Sequence, residues 1–136
     1  MRVFLDTNVF LYAAGRPHPE RDACARTLQK VAEGSLEATI NTEVVQEVLY
    51  VLTRRGRRAQ ALVLARHMTA LFPDLLPVTG QDMLVALRLL EAHTQLSARD
   101  AVHVATMLRN ELQTIISVDS HFDVIPEIRR LAPRSA

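Results

Sequence analysis

The segment RVFLDTNVFLYA, Arg2 to Ala13, decides the fold. Arg2 to Asp6 is a short apolar run that ends in Asp-Thr-Asn, a natural strand-to-turn transition, so it reads as a first strand. Beyond it, Val9, Phe10, Tyr12 and Ala13 recur at helical spacing until Gly15, Pro17 and Pro19 interrupt the chain. A strand leading directly into a helix is the opening of an alternating α/β arrangement.

The same alternation continues outward. Glu20 to Glu33 carries partly helix-spaced apolar residues, with Pro19 suited to the first turn and Gly34 to the C-terminal cap. Glu37 to Ile40 is a brief strand, and Asn41 or Thr42 suits the cap of a helix running to about Arg55. Gly56 separates that helix from one over Arg57 to Leu71. Leu75 to Val78 reads as a third strand, Thr79 as the cap of a helix through Ala92, and Ser97 as the cap of another through Leu112. Thr114 to Val118 is a fourth strand rich in β-branched residues, and Ile128 to Leu131 adds a last one. The expected architecture is a three-layer α/β/α sandwich with a short, mainly parallel sheet of four to five strands. In such folds, sites form beyond the carboxyl ends of the strands.

The 136 residues fit one domain spanning 1–136 around one hydrophobic core. No repeat or linker interrupts them. The apolar stretch Val3 to Ala14 is broken by Asp6 and Asn8 and is too short to span a bilayer, so no membrane partner is expected. Cys24 is the only cysteine, which excludes an internal disulfide and suits a reducing cytoplasm.

Net charge is only +1, but fifteen of the sixteen cationic residues are Arg. Four acids then stand out by position. Asp6 and Asp119 each close a strand, so parallel neighbouring strands would bring them together; each also suits an ordinary cap or turn. Glu47 borders the apolar stripe of its helix, between Val44 and Val51. Asp100 lies three residues after Ser97, an arrangement that also makes a capping box, and shares a helical face with His103, Val104 and Met107. Near Asp119, Ser120, His121 and Asp123 add loop polarity, with Asp123 a reserve ligand. His103 reads more readily as a hydrogen-bonded packing residue than as a ligand, because a lone His offers little for zinc.

Together, the DTN at Asp6, TEVVQEVLYVL around Glu47, ARDAVHVA around Asp100 and SVDSHFD around Asp119 resemble the PIN domain family, particularly its VapC-type toxins. The resemblance spans nearly the whole chain, in order. It implies that Asp6, Glu47, Asp100 and Asp119 form a metal site supported by Asn8 and Ser117; Thr7, like Asn8, is a small polar side chain placed to bind backbone or steer a neighbouring carboxylate. The family usually has Thr where Ser117 stands. Glu43, one helical turn before Glu47, competes for its place.

The chemistry follows from the residue types. Two carboxylates about 5 Å apart repel by roughly 3 kcal/mol at an effective dielectric near 20. Four of them need a cation or raised pKa values. Oxygen ligands without a Cys/His cluster favour Mg²⁺ or Mn²⁺ over zinc, and such an ion activates water for phosphodiester cleavage. Arg54, Arg55, Arg57 and Arg58 around Gly56 are candidates to track an RNA backbone, although a solvated helical tip accounts for them equally well. A response-regulator receiver would want a Lys after a late strand, and a haloacid dehalogenase-type phosphatase would want Asp at position 8; neither accounts for Glu47 with Asp100.

The resemblance therefore implies an endoribonuclease cutting structured RNA, tRNA or ribosomal RNA, restrained by an antitoxin protein and forming a homodimer. The alternatives are an RNA-processing nuclease without antitoxin, and a PIN-like module that binds RNA or protein without cutting.

Overall fold

The computed structural model describes residues 1–136. The first strand, β1 (Val3–Leu5), pairs in parallel with β2 (Ala38–Thr39) on one side and with β3 (Thr114–Ile116) on the other. β3 in turn pairs in parallel with β4 (Arg129–Leu131), giving the order β2-β1-β3-β4. Every residue of β1 and β3 is buried, as a sheet covered by helices on both faces requires.

Six helices supply that cover: α1 (Thr7–Ala13), α2 (Arg21–Ala32), α3 (Thr42–Arg54), α4 (Arg58–Leu71), α5 (Gly80–Ala92) and α6 (Ala98–Arg109). They pack in sequential pairs, α1 with α2, α3 with α4 and α5 with α6. Local chemistry sets their starts. Asn41, Thr79 and Ser97 each accept a hydrogen bond from the third residue onward, and Thr79 completes a reciprocal box with Asp82. Gly56 takes a left-handed φ of +73° between α3 and α4, a conformation that only glycine adopts without strain. Beneath the helices lies a core that includes Phe4, Leu5, Phe10, Val48, Met107 and Ile116.

Two boundaries differ from the sequence reading. Leu75 to Val78 is not a strand; only Leu76 forms an isolated parallel bridge, to Asn41. Pro77 follows immediately and has no N–H with which to extend a ladder. The last long helix stops at Arg109 rather than Leu112, because Glu111 takes a left-handed φ of 58° and the Leu112 N–H turns back to the Met107 carbonyl.

Strand order decides where a site forms. After β1 the chain moves to one side for β2, then crosses to the opposite side of β1 for β3. The crevice at this reversal lies at the carboxyl ends of β1 and β3. Leu5 is in register with Ile116, so the next residues, Asp6 and Ser117, emerge side by side.

Candidate metal centre

Asp6 caps α1, with its Oδ1 accepting the Thr7 N–H at 2.8 Å. Its Oδ2 accepts from Ser117 Oγ at 2.6 Å and from Asn8 Nδ2 at 3.2 Å. The cap and the crevice are thus served by one carboxylate. Burial pushes the Asp6 carboxyl above its ordinary range, and the opposing influence of His103, Ser117 and the Thr7 N–H does not cancel that shift.

Ser117 organises the second strand end. Its hydroxyl donates to Asp6 and accepts from Asn8 Nδ2 at 3.2 Å and from the Asp119 N–H at 2.9 Å. One donor and two acceptor positions are all that a hydroxyl offers. Asn8 closes the ring by accepting from the Val118 N–H at 3.4 Å. Asp119 then caps the short 3₁₀ turn Ser120–Val124, its Oδ1 accepting the His121 N–H at 2.8 Å.

Asp100 enters from the first turn of α6, where its N–H bonds Ser97 Oγ at 3.1 Å. Burial, followed by the negative charges of Asp6 and Asp119, pushes its carboxyl up to about 6. Ligand atoms of Asp100, Asp119 and His121 all lie within 4.8 Å of one another. His121, which the sequence offered only as loop polarity, therefore faces the acids; its Nδ1 is 3.2 Å from Asp119 Oδ1.

Glu47 reaches the cluster from α3. Its Oε1 accepts from Thr7 Oγ1 at 2.9 Å and lies 3.3 Å from His103 Nε2, a nitrogen that is also 3.9 Å from Asp6 Oδ1. Burial raises the Glu47 carboxyl, but the His103 and Thr7 contacts and the Arg99 charge outweigh it and hold the group below its ordinary range. Glu43 also feels His103 and Arg99, yet burial, with the charge of Glu47 added, leaves its carboxyl raised. Of the two, Glu47 makes the bonds that tie α3 to α1 and α6.

Asp123 lies outside this group. Arg130 on β4 grips it with two bonds of 2.8 and 3.1 Å and donates a third, at 3.1 Å, to the Ser117 carbonyl. That fork ties the loop bearing Asp119 to the sheet edge. The arginines around Gly56 also divide. Arg55 and Arg57 join Asn8, Tyr12, Arg16 and His18 in lining a cavity of about 540 Å³. Arg54 instead lies over the Tyr50 ring at 5.5 Å, with Arg99 over the same ring at 5.1 Å. Arg58 stands exposed at the start of α4.

Sequence reasoning missed Arg99, Arg130 and the pairing of buried Asp82 with exposed Arg109, in which Arg109 Nε is 2.6 Å from Asp82 Oδ1. The Thr79-x-x-Asp82 capping spacing was a usable signal for Asp82. No periodic pattern announces Arg130, whose bond to the Ser117 carbonyl follows from the β3–β4 register.

The donor set suits a hard divalent ion. Asp100 and Asp119 lie with His121 within 4.8 Å of one another, burial and neighbouring negative charge raise Asp6 and Asp100, and a cation relieves both effects. Asp6, Asp100 and Asp119 would hold it, with Glu47 alongside.

Residues 3–128 match the family model for the PIN domain. Ribonuclease VapC13 of Mycobacterium tuberculosis is 31% identical over 130 residues, covering 96% of this chain and 99% of that protein. Ribonuclease VapC23 of the same species is 34% identical over 120 residues, covering 86% and 92%. Among solved structures, the chain is similar to VapC20 of M. tuberculosis, a sarcin-ricin loop cleaving toxin, with a TM-score of 0.76, 19% identity and 91% and 95% coverage. It is also similar to a chain in VapBC2 of Rickettsia felis bound to a promoter DNA fragment, with a TM-score of 0.75, 17% identity and 97% and 98% coverage.

Proposed function

Because the chain belongs to the PIN domain family, alongside the VapC ribonucleases, we propose that it is an Mg²⁺- or Mn²⁺-dependent endoribonuclease, the toxin of a toxin–antitoxin pair. The observation that carries this reading is the approach of Asp100, Asp119 and His121 within 4.8 Å of one another at the sheet's reversal point, where the charge of Asp6 also acts on Asp100 and both Asp6 and Asp100 are raised. A divalent ion bound there supplies stabilisation of the charge that develops when a phosphodiester is cleaved.

The chain's own residues do the positioning. Ser117 and Asn8 hold Asp6 and the backbone around Asp119 in one hydrogen-bonded unit. Ser97 fixes the first turn that carries Asp100. Thr7 and His103 fix Glu47. Arg16, Arg55 and Arg57 line a cavity that begins at Asn8, and no acid lines it, which supports a seat for the RNA backbone leading into the acidic centre. The substrate class is structured RNA, either tRNA or ribosomal RNA.

The antitoxin reading rests on relatives. Similar solved structures include a toxin–antitoxin complex from Klebsiella pneumoniae and the VapBC2 assembly. Met83, Leu84 and Leu87 leave an exposed apolar stripe on α5, which supports a homodimer contact. No helix is long and apolar enough to cross a membrane, and the reading places the protein in the cytoplasm with its RNA.

The test is cleavage of purified tRNA and ribosomal RNA with Mg²⁺ or Mn²⁺, with and without chelator. Cutting that stops on chelation supports the reading; cutting that persists at full rate contradicts it.

A further inference from the structure

We propose that His103 is a positioning residue that aims the Glu47 carboxylate into the metal centre, and that Asn41 fixes His103 in the one tautomer able to do so. The inference rests on the metal-centre reading above and assigns work to two residues that hold no metal themselves.

The argument begins at the cap of α3. Asn41 is wholly buried, and its Oδ1 accepts the Val44 N–H at 2.9 Å. That bond fixes which end of the amide is oxygen, so the Nδ2 end faces the other way. Nδ2 has two hydrogens and two neighbours, Thr106 Oγ1 at 3.0 Å and His103 Nδ1 at 3.2 Å. Since Nδ2 only donates, His103 Nδ1 must accept. The ring proton then sits on Nε2, the nitrogen 3.3 Å from Glu47 Oε1.

Packing leaves no easy alternative. His103 is fully buried on α6, and its ring lies against that of Phe4, with centroids 5.5 Å apart. The other tautomer would put a lone pair toward Glu47 and bring two donors face to face at Asn41, and a flipped ring would set C–H groups at both places. The Nε2–H also points between Glu47 and Asp6 Oδ1, 3.9 Å away. It therefore sits between acids delivered by α3 and by the end of β1. Glu47 Oε1 is engaged by Thr7 and His103, while Oε2 has only Arg99 at 3.7 Å. Outer hydrogen bonds of this kind orient ligating carboxylates.

One side chain thus couples two jobs, starting α3 and setting the donor that aims Glu47. Asn41→Asp separates them. Aspartate caps as well as asparagine does, but it only accepts, so it removes the donor that holds His103 Nδ1 unprotonated.

The experiment uses full-length protein and two readouts. Long-range ¹⁵N–¹H spectra of histidine-labelled, metal-free wild type report which ring nitrogen of His103 carries the proton. Mn²⁺ titration calorimetry then compares wild type with Asn41→Asp, His103→Gln and His103→Leu. The expected results are a proton on Nε2 and a fall in Mn²⁺ affinity of about 10- to 100-fold in Asn41→Asp and His103→Leu. His103→Gln, whose amide can replace the Nε2–H, should recover much of that loss. In wild type a proton on Nδ1 overturns the proposal, as does wild-type affinity in a folded Asn41→Asp protein whose spectrum shows His103 Nε2 without a proton, or in folded His103→Leu. If His103→Leu fails to fold, the spectrum, Asn41→Asp and His103→Gln decide. Wild type that takes no Mn²⁺ overturns the metal reading as well, which separates that failure from failure of the positioning role alone.

Discussion

His103 Nε2 stands 3.3 Å from Glu47 Oε1 and 3.9 Å from Asp6 Oδ1, so one buried ring spans the acids of two different elements. This relationship discriminates between the two glutamates of α3. Glu47→Gln should weaken Mn²⁺ binding by about 10-fold or more, whereas Glu43→Gln, which removes none of these hydrogen bonds, should change it little. Calorimetric titration of both variants is the check; equal losses would mean that Glu43 shares the ligand role.

The raised carboxyls predict an unusual pH response in metal-free protein. Asp100 is pushed up to about 6 by burial and by Asp6 and Asp119, and Asp6 shifts in the same direction. A group that binds its proton more tightly when folded favours folding at low pH, and that contribution is lost as pH rises through the folded value. Metal-free protein should therefore gain stability from pH 7.5 to about pH 5 as Asp100 takes up its proton. Mn²⁺ should reverse the trend, binding more tightly above about pH 6 and releasing protons below it. Thermal melts at both pH values, with Mn²⁺ and with chelator, measure the crossing.

Ser117 uses all its hydrogen-bonding capacity, on Asp6, Asn8 and the Asp119 N–H. Ser117→Ala should cost about 1–3 kcal/mol of stability and weaken metal binding, because Asp6 and Asp119 lose their common anchor. Ser117→Thr retains the hydroxyl and should keep most of both. Urea unfolding and Mn²⁺ titration distinguish the two variants.

Asp82 is wholly buried and pairs with Arg109. Burial alone would raise its carboxyl, but the Arg109 bonds and the Thr79 N–H outweigh that and hold it low. Its contribution is complete above the ordinary carboxylate value and is lost as pH falls through the depressed folded value, so it opposes the Asp100 trend only at strongly acid pH. Asp82→Ala should destabilise the protein by about 1–3 kcal/mol in urea unfolding, with Mn²⁺ affinity in the folded state far less affected.

Much of the fold was legible because it rests on short-range signals. Val3 to Leu5 and Thr114 to Ile116 are apolar runs of strand type, and Asn41, Thr79 and Ser97 are caps whose chemistry is local. The apparent strand over Leu75 to Val78 failed because Pro77 removes a ladder donor, while its neighbour Leu76 keeps a single bridge. The four candidate acids were legible as positions at strand ends and on helix faces. What the sequence could not show was their mutual geometry. Arg130 meets the Ser117 carbonyl through the β3–β4 register, and His103 meets Glu47 through the packing of α6 on α3. Such long-range pairings have no periodic signature.

The central claim is that Asp6, Asp100 and Asp119, with Glu47, bind the ion on which RNA cleavage depends. The most direct measurement follows Mn²⁺ binding and RNA cleavage together in wild type, Asp6→Asn and Asp100→Asn. The account predicts that each substitution, like chelation of wild type, abolishes cleavage and weakens Mn²⁺ binding while the protein stays folded. Cleavage at the wild-type rate in a variant that no longer binds Mn²⁺ would contradict it.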